Sequence, residues 1–286
     1  MRSAFFTVDL EDFSHDLCRQ HGSLLRPALR KYELEDSYDN VSNLISRFQE
    51  NSKITFFCTG IMARDYPHLI KRISDDGHEI ACHSYYHDHV NKTNPKDLRE
   101  NILRAKGCLE DITKQEVCGF RAPRFSIEKD DYVRLEVISK IFNYDSSLHF
   151  SSKAEFLTWR SEIPFDINEF PVASQPQFGG LFNVKLGGSY FKLFPYRLMR
   201  AAAVKSHFNE ITPIFYLHPY DFCSGGRFLA TWNELKGLSA SKRLYWFLRQ
   251  YQYGVVPNWV IDRKLIALFR DFDNLGPIKN SFAMGL

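Results

Sequence analysis

The sequence predicts an α/β fold with a largely parallel sheet and helices outside it. Apolar, strand-like runs alternate with segments of helical periodicity through most of the 286 residues, which is the pattern of parallel α/β proteins. Polar side chains follow directly after four of the predicted strands. Because the carboxyl ends of the strands of a parallel α/β barrel share one face, we expect these polar residues to lie close together.

Bulk composition limits the function classes that need to be considered. The hydrophobic fraction of 44% is ample for a core, and the formal net charge of +3 gives no reason to expect nucleic-acid binding. The N-terminus runs into a strand and lacks the apolar region of a signal peptide, and no window approaches the roughly 18 apolar residues of a spanning helix. The six cysteines form no CxxC pair, so we expect reduced thiols and a cytoplasmic protein.

The first half of the chain is predicted to begin with a strand at residues 4–8. Residues 9–38 lack clear periodicity and are predicted to form a long loop. The apolar spacing of Val41, Leu44, Ile45 and Phe48 predicts a helix, with Asp39 or Asn40 placed to cap it. A strand at 54–58, a helix at 63–76 that is entered or kinked near Pro67, and a strand at 78–82 follow.

The second half continues the alternation in the same way. Pro95 stands in the first turn of a helix that is predicted to run to about Thr113. The glycine pairs 179–180 and 187–188 flank a hairpin or loop. The other predicted elements are strands at 117–120, 169–173 and 214–217, a strand-like turn that ends at 144–147, and helices at 130–142, 195–208, 241–250 and 259–272.

Acidic residues follow the first strand. Asp9 and Glu11 alternate along an extended segment, so their carboxylates can point to the same side. On its own this pattern is also typical of an acidic turn that starts a loop. Asp12 competes with Glu11 as a ligand if the chain has already turned at that point.

Two histidines follow the strand at 78–82. His83 and His87 are four residues apart, so they can share one face of a single helical turn and bind one metal ion. Together with Glu11 they form a set of two histidines and one carboxylate, which fits catalytic zinc and leaves room for water. The same set can also hold iron, so the ligand types alone do not select the metal.

Two further polar residues stand at strand ends. Arg121, in the sequence Arg-Ala-Pro, places a permanent cation after the strand at 117–120, and His218 follows a very apolar strand. Each has an ordinary structural interpretation, as a surface arginine before a turn and as a hydrogen-bonded core histidine. Four coincident polar strand ends in one chain favour a functional site instead.

In this order the motifs resemble the polysaccharide deacetylase family, carbohydrate esterase family four. The resemblance covers roughly residues 4–220 and rests on Thr-Val-Asp-Leu-Glu-Asp at 7–12, Gly-His-Glu-Ile at 77–80, His-Ser-Tyr-Tyr-His at 83–87, Arg-Ala-Pro at 121–123 and Leu-His at 217–218. Gly-Gly-Ser-Tyr-Phe at 187–191 is similar to a bacterial subgroup associated with surface-polysaccharide synthesis.

The resemblance implies a distorted (β/α) barrel, with a catalytic domain at 1–225 and a C-terminal helical extension at 226–286 packed on it. It also implies metal-dependent removal of an N-acetyl group from an amino sugar in a glycan or a sugar-linked precursor. Glu11, His83 and His87 would hold a divalent ion, most simply Zn²⁺. Asp9 would be the general base, Arg121 would orient Asp9 and keep it ionised, and His218 would be the general acid.

The sequence also departs from the family pattern. Leu10 separates the two acids that are usually adjacent, and Arg124 stands where the family has tyrosine, which suggests an anionic substrate. The family's fourth motif is not clear, and Trp159 in that region stays unassigned. A hydrolase acting on a non-sugar amide or an acetate ester, and a non-catalytic glycan-binding protein, are the alternatives.

Overall fold

A computed structural model of the protein describes residues 2–21, 30–48, 52–177, 182–222, 229–250 and 258–281. The strands in this part are β1 (Arg2–Leu10), β2 (Thr55–Cys58), β3 (Glu79–Cys82), β4 (Gly119–Phe120), β5 (Tyr144–Asp145), β6 (His149–Phe150), β7 (Val172–Gln177), β8 (Phe182–Lys185), β9 (Ile214–Leu217) and β10 (Phe272–Asn274). The helices are α1 (Phe13–His21), α2 (Lys31–Phe48), α3 (Gly60–Asp65), α4 (Pro67–Asp75), α5 (Pro95–Thr113), α6 (Tyr132–Ser139), α7 (Lys153–Glu162), α8 (Gly188–Leu193), α9 (Tyr196–Phe208), α10 (Ala240–Arg249) and α11 (Asn258–Asp271).

The main sheet is parallel and is built around β1. On one side β1 pairs with β2, followed by β3, β4 and β5; on the other it pairs with β9 and, at its start, with β10. A second sheet of β6, β7 and β8 is joined to it by single bridges, Asp145 to Glu169 and Gly187 to Tyr216. The strands therefore form the predicted distorted barrel, with helices around it.

Alternation along β1 decides which side chains enter the barrel. Phe6 and Val8 lie in the core beneath the helices, whereas Phe5 packs inside the barrel in a cluster with Phe57 and Tyr144. Thr7 and Asp9 share the inner side with Phe5, because successive strand residues point to opposite faces. This alternation brings Asp9 to the inner carboxyl end of the sheet, as the sequence pattern predicts.

The predicted long loop at 9–38 is wrong, because α1 and the first part of α2, residues 31–38, lie in that range. The helix α2 begins at Lys31, and Leu34 and Tyr38 continue the buried stripe of Val41 and Ile45 toward its start. Acidic residues between those positions obscure the stripe in the sequence. Asp39 and Asn40, predicted as caps, lie inside the helix.

The C-terminal part is not purely helical, as β10 lies in it. The aromatic ring of Phe272 packs against Phe215 with centroids 5.4 Å apart, which places β10 beside the first residues of β1. The predicted loop glycines at 179–180 lie outside the described residues. Among the described helices, none is both long and apolar enough to cross a membrane.

A buried carboxyl pair supports the bridge between the two sheets. Glu169 accepts a hydrogen bond from the Leu148 amide (2.9 Å), and Asp145 accepts one from Ser147 (2.6 Å). The second oxygens of the two carboxyl groups are buried and face each other, so they can hydrogen-bond only if one is protonated. Burial, and for Glu169 the charge of Asp145, raise both pKa values, that of Asp145 to about 6.

This pair makes stability depend on pH. The folded protein keeps a proton that the unfolded chain releases near the ordinary carboxyl pKa of 4.5. The free energy of unfolding therefore falls as the pH rises above that value. In Glu169→Gln the amide donates to Asp145 without needing a proton. We expect the variant to gain about 1–3 kcal/mol over the wild type as the pH rises from about 5 toward neutral.

Thermal melting across that pH range measures the effect. Glu162→Gln, on an exposed residue at the end of α7, is the matched control and should follow the wild type at every pH. A constant difference between Glu169→Gln and the wild type would contradict the shared proton.

Candidate active site

A cleft of about 280 Å³ opens at the carboxyl ends of the parallel strands. It gathers the residues that the sequence places after β1, β3, β4 and β9. Its lining consists of Asp9, Glu11, Phe13, Asp16, His83, His87, Arg124, Phe125, Lys185, Gly188, Ser189, Tyr190, Tyr216, His218 and Tyr220. Charged and aromatic side chains thus face one another across a single opening.

Asp9 and Arg121 form a buried ion pair at the base of the cleft. The Arg121 Nη1 atom lies 2.8 Å from Asp9 Oδ1 and also donates to Thr7 Oγ1 at 2.8 Å. Its other nitrogens donate to the carbonyl and the hydroxyl of Ser146, and the guanidinium lies 3.9 Å from the centre of the Phe57 ring. Arg121 is fully buried and held on all sides, so it fixes Asp9 in one position.

Glu11, His83 and His87 come together as a candidate metal site. One potential ligand atom from each lies within 4.8 Å of the others. Two imidazoles and one carboxylate form the donor set of hydrolytic zinc sites, which keep a further position for water. The residues present therefore fit a divalent ion.

Neighbouring groups orient both imidazoles. His83 Nδ1 lies 2.8 Å from the Arg121 carbonyl oxygen, so Nδ1 carries the proton and Nε2 has a free lone pair. Burial lowers the pKa of His83 to about 4, which keeps this ring neutral. His87 Nδ1 donates to Asp16 at 2.8 Å, and its Nε2 lies 2.8 Å from Glu11. Metal-binding histidines are typically held by such partners.

The predicted helical turn at 83–87 is wrong, because this segment is an extended loop with two left-handed residues. Ser84 and His87 have φ values of 60° and 62°. The amides of Gly60 and Ile61, at the start of α3, donate to the carbonyls of Ser84 and Tyr85, both at 2.9 Å. A Cβ at position 60 would lie 2.3 Å from the Tyr85 ring, so only glycine permits this contact.

Asp12, the alternative ligand, has a structural position instead. It is buried before the first residue of α1, where Oδ1 accepts from the Ser14 amide (2.7 Å) and Oδ2 accepts from the Arg30 amide (3.0 Å). The Tyr66 hydroxyl donates to the same Oδ2. Both oxygens are occupied by this helix cap, whereas Glu11 faces the two histidines.

These positions predict opposite effects for two adjacent substitutions. Glu11→Ala should lower metal affinity strongly, because it removes a charged ligand. Asp12→Ala should lower metal affinity only mildly and cost about 1–2 kcal/mol of stability, since it removes a helix cap. Metal titration and thermal melting of both proteins test this, and metal loss confined to Asp12→Ala would reverse the assignment.

Asp16 is a site residue that sequence reasoning did not identify. It bonds His87 and also contacts Arg19 at 3.3 Å and the guanidinium of Arg124. These cations and His87 outweigh the effect of burial and hold the pKa of Asp16 well below its usual range. Arg124, predicted from its position to meet an anionic substrate, is thus paired with a carboxylate of the protein. Asp16 lies on a helix that the sequence does not reveal.

His218 lies at the end of β9, on the opposite side of the cleft from residues 83–87, which we call the histidine loop. Its Nε2 is 3.8 Å from Glu11 Oε1, and its Nδ1 is 3.7 Å from Asp221 Oδ2. Burial would lower the pKa of His218, but the carboxylates of Asp221 and Glu11 outweigh it and raise that pKa. Asp221 was also missed from the sequence; it is buried and accepts from the His218 amide at 2.8 Å.

Two family models match parts of this chain. Residues 34–138 match the family model described as polysaccharide deacetylase. The chain carries a polysaccharide deacetylase domain. Residues 147–258 match a second model, described as a domain of unknown function, DUF3473.

Curated proteins similar to this chain include peptidoglycan deacetylase-like protein FGM2 of Gibberella zeae, 30% identical over 44% of this chain and 37% of the relative. Peptidoglycan-N-acetylmuramic acid deacetylase PdaA of Bacillus subtilis is 37% identical over 24% of this chain and 27% of the relative. The aligned segments thus span less than two fifths of these relatives. A putative polysaccharide deacetylase from Mycobacterium smegmatis has a solved structure with a TM-score of 0.49 and 18% identity, over 95% of this chain and 93% of that one.

The deacetylase match contains only part of the site. It includes His83, His87 and Arg121, whereas Asp9 and Glu11 precede it. His218 lies in the segment that matches DUF3473. The structure joins these regions because β1 lies between β2 and β9 in one sheet.

Proposed function

We propose that this protein is a metal-dependent N-deacetylase that removes acetate from an amino sugar of a bacterial surface polysaccharide or its precursor. The observation that carries the proposal is the meeting of three groups in one cleft: the Asp9–Arg121 pair, the Glu11, His83 and His87 set, and His218. Amide hydrolysis needs a base for water, an acid for the leaving nitrogen and stabilisation of the developing oxyanion. Each group supplies one of these.

Glu11, His83 and His87 would hold the divalent ion, and the nitrogen and carboxylate donors favour zinc. When bound, such an ion polarises an amide carbonyl and lowers the pKa of water. The protein's part is to keep both imidazoles in the ligand tautomer, through the Arg121 carbonyl and the Asp16 carboxylate.

Asp9 accepts the proton of the attacking water. Its Oδ1 is bound by Arg121, so the carboxylate cannot rotate away from the cleft. Thr7 shares the same guanidinium nitrogen and fixes the arginine in turn. The base is thus positioned before substrate arrives, which lowers the entropic part of the barrier.

His218 gives a proton to the leaving nitrogen, without which an amine leaves poorly. The raised pKa of His218 keeps it protonated for that step. Asp221 positions the ring, and the Tyr220 ring stacks on it at 4.8 Å with the planes 8° apart. The two proton-transfer groups approach the cleft from different strands, β1 and β9.

The substrate class is supported by the cleft walls and by the names of the relatives. Phe125, Tyr190, Tyr216 and Tyr220 present flat aromatic surfaces, which suit sugar rings. The similar proteins are named for deacetylation of peptidoglycan. A cytoplasmic location is part of the proposal and is supported by the free cysteines of the described chain.

The proposal is tested by measuring acetate release from a panel of N-acetylated glycans. The measurement is made on protein from which metal has been removed and on the same protein after zinc is restored. We expect release from at least one glycan, loss of it on chelation, and recovery with zinc. Release only from acetate esters or non-sugar amides would indicate a different hydrolase. Glycan binding without release in any metal form would indicate a binding protein.

A further inference from the structure

Lys185 ends β8 and is the second cation that reaches the cleft beside Arg124. It is half-buried, and it lines the same cavity as Asp9, Glu11 and His218. We propose that Lys185 binds an anionic group of the substrate, a carboxylate or a phosphate carried by the N-acetylated sugar or its neighbour. This proposal rests on the deacetylase function and narrows its substrate class.

Lys185 is unpaired, unlike the other cations at the site. Arg121 is bound to Asp9, and Arg124 is bound to Asp16. Within the described chain, no carboxylate lies within 4 Å of the Lys185 ammonium group, and no hydrogen bond to it is formed. The carboxylate whose charge acts on it most is that of Glu128, which is exposed and out of contact.

The surroundings of Lys185 disfavour a lone charge. Burial lowers the pKa of Lys185, because the ammonium group is partly removed from water. Burial lowers the pKa of the nearby His149 to about 3, so its ring is neutral and cannot balance the charge of Lys185. A half-buried cation gains most from an anion that arrives with the ligand.

Because Arg124 is paired with Asp16, another residue is expected to bind an anionic group of the substrate. Arg124 stands where the family has tyrosine, but its guanidinium is engaged by the carboxylate that orients His87. Lys185, on β8, lines the same cleft and has no such partner in the described structure. An anionic sugar would therefore meet Lys185 rather than Arg124.

The test compares neutral and anionic ligands on wild type and three variants. Lys185→Met removes the charge, Lys185→Arg keeps it, and Lys140→Met is the matched control. Lys140 is exposed and follows α6, at the opposite end of the barrel from the cleft. The ligands are a chitin tetrasaccharide, a hyaluronan tetrasaccharide that carries carboxylates, and N-acetylglucosamine 1-phosphate. Affinity is measured by calorimetry in an Asp9→Asn background, and acetate release in the active protein.

We expect the wild type to prefer one anionic ligand, and Lys185→Met to reduce that preference by roughly tenfold to a hundredfold. Lys185→Arg should retain most of the preference, and Lys140→Met all of it. A hyaluronan preference identifies a carboxylate, and a preference for the sugar phosphate identifies a phosphate. Added salt should weaken the anionic ligand selectively.

Equal affinity of the wild type for neutral and anionic ligands would overturn the proposal. So would an equal loss for all ligands in a folded Lys185→Met protein, since that indicates a structural lysine. No acetate release from any glycan, with the Lys185-dependent preference intact, would overturn the deacetylase function and still support the anion site.

Discussion

Replacing Asp9 by asparagine is expected to lower turnover by roughly a hundredfold or more while the metal stays bound. Asparagine keeps the shape and can still accept the Arg121 hydrogen bond, but it cannot take a proton from water. Because Glu11, His83 and His87 are unchanged, metal content should equal that of the wild type. Acetate release and metal analysis on the same samples measure both effects.

The substitution also leaves a buried guanidinium without its carboxylate, so stability must be followed. Arg121 keeps its bonds to Thr7 and Ser146, which should preserve the fold. A melting temperature close to that of the wild type together with low turnover supports the base assignment. Turnover near the wild-type value in Asp9→Asn would refute it, and loss of metal would show that Asp9 is itself a ligand.

Replacing His87 by alanine is expected to lower metal affinity by more than roughly a hundredfold. Loss of a group that only orients a metal ligand lowers the affinity by roughly tenfold to a hundredfold, and loss of a ligand should cost more. The change removes one of three donors and leaves Glu11 and Asp16 facing each other without the imidazole between them. Acetate release should be lost with the metal. Titration with zinc, followed by activity at saturating zinc, measures both.

His89→Ala is the matched control, since His89 lies two residues further along the same segment and is not a member of the candidate metal set. We expect it to bind zinc as the wild type does. Full metal occupancy in purified His87→Ala would show that the ion is held elsewhere.

The sequence was sufficient to predict features that depend on local patterns. The alternation of Asp9 and Glu11 along β1, and the polar residues after β3, β4 and β9, follow from strand periodicity and from the common edge of a parallel sheet. The long helix α5 is readable because Pro95 marks its start. These patterns were enough to predict the cleft and its main residues.

The features that were missed depend on contacts between distant segments. Asp16 becomes part of the site only because α1 packs beneath the histidine loop, and nothing in its neighbours in sequence indicates that contact. Asp221 reaches the His218 ring because the chain turns tightly after β9. The left-handed residues of the histidine loop are fixed by amides of α3, far away in sequence.

The packing of α1 has a consequence for any shortened form of this protein. Leu17, one residue after Asp16, is buried in a cluster with Leu235 and Trp246 of the C-terminal part. Glu234 in the same region binds Arg30 at 2.9 Å. Ending the chain near residue 225 would expose Leu17 and release the helix that holds His87 in its ligand orientation. Trimming the chain to residues 34–138, the segment that matches the deacetylase family, would remove that helix and Glu11 altogether. The smallest fragment that retains the metal centre must therefore include residues 229–250.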